Sequence, residues 1–179
     1  MAEGKQVSLK PLDADRLDLL VKWRSREEAQ RHQPISELSR EQLLQFIKSR
    51  SDGELNMLLD HDYILIIEDT PLSLAIGWMT MEVTSRVHGL VRIGYTVDKE
   101  YWNQGYATAA VRELCRFLFS ETTVERVEAD CSVHNPASQR VLEKCGFRRV
   151  GLKRQYLIIR GQRIDHYYYE TIKVDFLNA

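Results

Sequence analysis

The chain of 179 residues is 44% hydrophobic and 28% charged, the balance of an ordinary globular fold, and at about 150 residues per domain it predicts one domain. Lys and Arg number 25 against 26 Asp and Glu; the net charge of -1 argues against a non-specific nucleic-acid binder, and the aliphatic and aromatic residues are too many and too evenly spread for a disordered chain. Residues 1–10 hold no apolar stretch of a secretory signal, and the longest aliphatic or aromatic run, Tyr63 to Ile67, is far short of a membrane span, so a cytoplasmic protein with no membrane partner is expected.

Val7 to Leu9 reads as a short strand closed by Pro11. Asp13 can cap a helix carrying Leu17, Leu20 and Val21 on one face as far as Trp23. Residues 24–37 are polar, interrupted by Pro34, and read as a loop. Ser39-Arg40-Glu41-Gln42 is a capping box, in which the Ser hydroxyl takes the N3 amide while Gln42 reaches back. It opens a helix with Leu43, Leu44 and Ile47 on one stripe, ending before Gly53. Tyr63 to Ile67 lacks polar alternation and suits a strand covered on both faces. Strands over about 73–82 and 90–97 follow, joined through 85–89. From Gln104 to Ser120, Ala107, Ala110, Val111, Leu114, Phe117 and Leu118 recur at helical spacing, with Arg112 and Arg116 opposite. Val127, Ala129, Cys131 and Val133 alternate as a strand. Asn135-Pro136 opens a helix that buries Ala137, Val141 and Cys145 and stops at Gly146. Gly161 turns between two last strands, about 154–159 and 164–174. This order means α/β with a mixed sheet, because the ends are hairpins.

Cys115, Cys131 and Cys145 have no C-x-x-C spacing and read as buried thiols in a reducing compartment. The five histidines, at 32, 61, 88, 134 and 166, never pair at ligand spacing, so no metal is expected. Trp23 and Trp78 read as core. Arg148, Arg149, Lys153 and Arg154 read as a solvated strand edge rather than an RNA patch. Tyr167-Tyr168-Tyr169 splits between core and cleft, and the residues do not choose which faces which.

The junction 94–109 ends a strand and opens a helix with small residues at 105, 107 and 109. Uncovered backbone N–H groups there, at the positive end of the helix dipole, make an anion site. No Gly-Lys-Ser/Thr follows and G-x-G-x-x-G is missing, so it is neither a P-loop nor a dinucleotide fingerprint. Close helix–strand packing is the plainer account of the same residues.

The junction has company. Ile93-Gly94-Tyr95 and 101–108 (Tyr-Trp-Asn-Gln-Gly-Tyr-Ala-Thr) are followed by 135–147, Asn-Pro-Ala-Ser-Gln-Arg-Val-Leu-Glu-Lys-Cys-Gly-Phe, and by the hairpin 160–165. In these blocks the chain resembles the GNAT superfamily of acetyl-CoA-dependent N-acetyltransferases, and more closely its RimJ/RimL-type branch, which acetylates N-termini of ribosomal proteins. The resemblance implies a mixed, mostly antiparallel central sheet of about six to seven strands with about four helices. It implies that Gln104, Gly105, Tyr106, Ala107, Thr108 and Ala109 wrap the CoA pyrophosphate, with Ala107 where the family more often has Gly. By the same resemblance Tyr95, Thr96 and Val97 lie on the splayed strand that pairs with the pantetheine arm, with backbone N–H groups near Val97 for the oxyanion. Asn135 matches the Asn that contacts pantetheine, and is also a plain helix cap. Ser138 matches the branch's candidate donor to the leaving sulfur, against the plainer account of a helix serine bonded to its own backbone. The tyrosine many GNAT enzymes use for that purpose is replaced by Leu142.

The strand position before Ile93, often Glu in this branch, is Arg92, which removes a direct carboxylate base. Glu82 and His88 flank the strand pair and can act through water, or be surface residues. A weak base suits an α-amine, whose pKa is about 7.7–8.0, better than a lysine at about 10.4. The expected partners are acetyl-CoA and an amine, most simply a peptide or protein N-terminus such as that of a ribosomal protein. The rivals are a small antibiotic or polyamine acceptor, and a non-catalytic acyl-CoA-binding module. The sequence does not read out the oligomeric state.

Overall fold

The computed structural model describes residues 5–34, 39–48 and 62–178. One seven-stranded sheet runs in the order β1-β2-β3-β4-β5-β7-β6. Its strands are β1 (Val7–Pro11), β2 (Tyr63–Asp69), β3 (Leu74–Ser85), β4 (Leu90–Val97), β5 (Arg126–Ser132), β6 (Arg148–Ile159) and β7 (Gln162–Ile172). The helices among the described residues are α1 (Leu17–Arg24), α2 (Glu27–Gln30), α3 (Arg40–Lys48), α4 (Tyr106–Glu121), α5 (Pro136–Lys144) and α6 (Lys173–Leu177). Neighbouring strands are antiparallel except β4 and β5.

β2 is buried along its whole length, because both faces of this part of the sheet are covered. On one face Leu65, Ile67, Met79, Met81, Val91 and Ile93 pack under α4, which contributes Ala110, Val111, Leu114, Leu118 and Phe119. On the other, Ile64, Ile66 and Trp78 pack under Leu17, Leu20 and Trp23 of α1 and Leu43 of α3. Each such side chain contributes roughly 1.5–3 kcal/mol by leaving water. Trp23 and Trp78 stack in the second core with ring centroids 5.9 Å apart. All three cysteines are free and buried. The capping box forms in both directions: Gln42 N–H donates to Ser39 Oγ at 3.2 Å and Ser39 N–H to Gln42 Oε1 at 2.8 Å.

Several boundaries differ from expectation. β1 takes in Pro11, which an edge strand tolerates because its missing donor can face away from the ladder. Asp13 caps a turn of 3-10 helix, Ala14–Arg16, before α1 begins. The loop at 24–37 contains α2, while its residues 35–38 lie outside the described ones, as does the expected end of the α3 helix near Gly53. α4 begins at Tyr106 rather than Gln104, since Gly105 is left-handed at φ 90° and cannot be helical. Ala137 in α5 is exposed, and Leu142 is the residue that helix buries. β6 begins at Arg148, placing the basic cluster on an edge strand, and β7 stops at Ile172, where the chain turns into α6.

Candidate active site

β4 and β5 pair over three positions only: Leu90 with Arg126, Val91 with Val127, and Arg92 with Glu128. Beyond them the strands part, because β5 continues with β7 while β4 continues with β3. The result is a V in the sheet. Its closed end is pinned by the Gly89 carbonyl, which accepts from the Glu125 and Arg126 amides at 2.9 and 3.2 Å. Its open end lies between 93–97 on one side and 129–132 on the other. Two carbonyls of this part of β4 accept from side chains: that of Tyr95 from Gln33 Nε2 at 3.2 Å and that of Val97 from Trp102 Nε1 at 2.7 Å. Gln33 Nε2 also lies 3.4 Å from Thr96 Oγ1.

α5 starts at the open end. Asn135 Oδ1 accepts from the Ser138 amide at 3.1 Å, so Asn135 is an N-cap. Tyr95 reaches across from β4: its hydroxyl donates to the Ser138 carbonyl at 3.1 Å and stands 2.8 Å from Ser138 Oγ. Burial pushes the Tyr95 hydroxyl far above its ordinary value, against the opposing effect of the Ser138 hydrogen bond, so it stays an O–H donor. With that proton on the carbonyl, the Ser138 hydroxyl donates to Tyr95 Oη across the 2.8 Å contact, and has to turn from Tyr95 to donate to a ligand. No sequence pattern signals a Tyr95–Ser138 pair 43 residues apart.

Gly105 caps α4 with no side-chain cap and no acidic residue in the first turn. A Cβ built on Gly105 would meet only Lys5 Cγ, at 3.9 Å, so the space above the helix start is open. Ala107, Thr108 and Ala109 are half-buried, and Gln104 Nε2 donates back to the Glu100 carbonyl at 2.9 Å. Tyr106 turns inward, its hydroxyl donating to Asp69, so its backbone and not its ring faces the opening. These features fit a phosphate-bearing ligand: small side chains, free donors and a helix dipole at its positive end.

On the face away from α4, the closed end of the V is charged. Arg92 lies between Glu82, at 3.3 Å, and the β5 carboxylates Asp130 and Glu128, at 3.6 and 3.8 Å. Glu82 is therefore engaged by Arg92, and His88 sits exposed in the turn before β4, beside the closed end. Tyr168 is the tyrosine of its run on this face, held by Arg126 Nη2 at 2.6 Å. Tyr169 is fully buried on the opposite face and donates to Glu143 at 3.3 Å. Burial, with Glu143 beside it, pushes the Tyr169 hydroxyl up to about 12. His32, next to Gln33, feels Arg31, His134 and Arg160; burial first and then these cations hold its pKa below the ordinary imidazole value. Neither Gln33 nor His32 was singled out from sequence, since both lie in a polar segment without a pattern. Among the described residues no group of three or more His, Cys, Asp and Glu is arranged to hold a metal ion.

The family profile described as "Acetyltransferase (GNAT) domain" matches residues 6–148. The chain belongs to this family. The uncharacterized N-acetyltransferase p20 of Bacillus licheniformis is 24% identical over 177 residues, 96% of each chain. The L-amino acid N-acetyltransferase AaaT of Escherichia coli K12 is 29% identical over 100 residues, 55% of this chain and 62% of its own. The spermidine N-acetyltransferase from Vibrio cholerae, solved in complex with CoA and spermine, matches with a TM-score of 0.85, covering 97% of this chain and 99% of that one. At 16% identity this last likeness is one of fold. The chain is thus a GNAT N-acetyltransferase, with the seven-stranded mixed sheet of that fold. No described helix of this enzyme is long and apolar enough to cross a membrane.

Proposed function

We propose that this GNAT enzyme is an acetyl-CoA:α-amine N-acetyltransferase of the RimJ/RimL type, working in the cytoplasm as one catalytic domain. Its acceptor is the N-terminal amine of a peptide or protein, a ribosomal protein being the first candidate. The backbone amides of Gly105 to Thr108 hold the pyrophosphate, with Gln104 beside them, while Ala109, whose amide donates to the Gly105 carbonyl at 3.0 Å, contributes its small side chain. The edge of β4 at Tyr95, Thr96 and Val97 receives the pantetheine arm, and Asn135 and Ser138 flank the thioester. The uncharged amine attacks the thioester carbonyl carbon, a C–N bond forms, and the C–S bond breaks. The sulfur leaves with its electron pair toward the Ser138 hydroxyl, and the amine's surplus proton passes to water and restores the thiol. Ser138 acts as hydrogen-bond donor to the developing thiolate, since an aliphatic hydroxyl is too weak an acid to give its proton up.

One observation carries the substrate class. The β4 side chain at the closed end of the V is a guanidinium engaged with three carboxylates, not a free carboxylate. Such a site does little to deprotonate an amine, so it favours one already largely neutral near physiological pH. AaaT, by its name, also acts on an amino acid. The test is CoA release with four acceptors: a lysine-free peptide with an open N-terminus, an N-acetylated peptide containing lysine, a free L-amino acid, and spermidine. The open peptide should exceed the lysine peptide and spermidine at least tenfold in kcat/KM. Faster turnover of either of those two overturns the assignment, and no release with any acceptor makes the protein an acyl-CoA-binding module instead.

A further inference from the structure

Arg92 has no ordinary ion-pair environment. Its Nε is buried and makes no hydrogen bond, and its contacts with Glu82, Asp130 and Glu128 run from 3.3 to 3.8 Å. Stronger partners already hold the buried acids around it. Lys153 Nζ is 2.6 Å from Asp130, and Arg126 is 3.0 Å from Glu128 and 2.6 Å from Glu170. The Asp130 and Glu128 side chains are only 10% and 12% exposed. Glu82, Glu128, Asp130 and Glu170 thus face three cations, Arg92, Arg126 and Lys153, and Arg92 is the loosest of the three. It is also at the last pair before the strands part, beside the gap that the reading above assigns to the reacting groups.

We infer that Arg92 is a specificity-determining residue: it fills, with the chain's own cation, an acidic subsite that would otherwise draw polycationic amines to the open V. The inference rests on the α-amine reading above. Its physical basis is charge count. Lys153 and Arg126 leave the four carboxylates short of two positive charges, and Arg92 supplies one of them. Without it the deficit at a site of low exposure is doubled, and the groups that best fill it are ammoniums spaced along a flexible chain. With Arg92 in place, a second and third ammonium meet a guanidinium and are repelled. A peptide N-terminus brings one amine followed by neutral amides and loses nothing by this. The fold does not depend on Arg92, because both buried acids keep their closer partners.

The test is calorimetric binding of spermidine, without acetyl-CoA, to the full-length enzyme and to Arg92→Gln, Arg92→Lys and the double variant Arg92→Gln/Asp130→Asn. Arg92→Gln should bind spermidine at least tenfold more tightly than the parent. Arg92→Lys, which keeps the charge, should show no such gain, and the added Asp130→Asn should remove it. Should Arg92→Gln fail to fold, Arg92→Met carries the same comparison. Spermidine binding to the neutral variant no tighter than to the parent, or an equal gain in Arg92→Lys, overturns the inference. Because this readout needs no turnover, it is independent of the acceptor panel: a parent enzyme that prefers another amine refutes the α-amine reading while the role of Arg92 is still read from the binding ratio.

Discussion

Ser138 and Tyr95 form the smallest unit of the proposed site. Asn135 fixes the Ser138 amide, and Tyr95 holds the Ser138 carbonyl from the facing strand, so the hydroxyl is aimed from a rigid helix start. Ser138→Ala should therefore leave CoA affinity nearly unchanged, measured by calorimetry, while kcat and kcat/KM fall together. That pattern marks an interaction made only as charge builds on sulfur. Intact turnover would reduce Ser138 to a packing residue and shift attention to Tyr95, which stands 2.8 Å from it. At this scale the sequence was half readable. Ser138 and Asn135 belong to one contiguous block, 135–147, and the family resemblance of that block is what points to them. Gln33 on Tyr95, Trp23 on Asp98 and Tyr95 on Ser138 join residues 62, 75 and 43 apart, and no periodicity encodes such distances.

Among the elements, α4 decides whether the ligand has a place. Its apolar stripe was legible because a helix that buries one face must repeat near 3.6 residues. Its start was not, because Gly105 is left-handed and closes the strand-to-helix turn one residue before the helix begins. A valine there would both occupy the open space above the helix and force a β-branched residue to a positive φ. Gly105→Val should weaken CoA binding more than tenfold, over about 1.4 kcal/mol, with far-ultraviolet circular dichroism unchanged. Unaltered affinity in the folded variant would detach CoA from this helix start. The polar segment 24–37 likewise hid α2, a single turn of four residues, too short for any periodic signal.

For the molecule as a whole, the pH profile tests the acceptor and the absence of a strong base together. With a peptide α-amine, kcat/KM should climb with pH and level off near about 8, tracking the amine's own deprotonation. A lysine side chain should still be climbing at about 9, since less than about one part in a thousand of it is neutral at pH 7. His32 does not bend this profile from within: its pKa is lowered, so it is already neutral above the ordinary imidazole value and gains charge only as pH falls below it. A plateau beginning near 6.5 would reveal a working base, and Glu82→Gln, then His88→Gln, would locate it. The fold was largely readable at this scale, because strand and helix patterns alternate along the chain in a mixed order. The V was not. It arises from where β4 and β5 stop pairing, and register between strands separated by a helix leaves no mark on either strand alone.

The V also sets how the sheet holds together. Three residue pairs are the whole strand ladder between β1–β4 and β5–β7, with α4 laid across one side of it against β1 and β4. A molecule lying in the gap would take the place of the missing rungs and brace two antiparallel ribbons that touch along a short stitch. Cosubstrate would then be a structural strut as well as a reactant. At a concentration one hundred times its Kd, CoA should stabilise the fold by about 2.7 kcal/mol and raise Tm by roughly 5–10 °C. The gain should not be spread evenly: amides at 93–97 and 129–132 should slow most in hydrogen exchange. An enzyme starved of acetyl-CoA would be the one whose sheet opens first at its own active site, so that loss of cosubstrate and exposure to proteolysis go together.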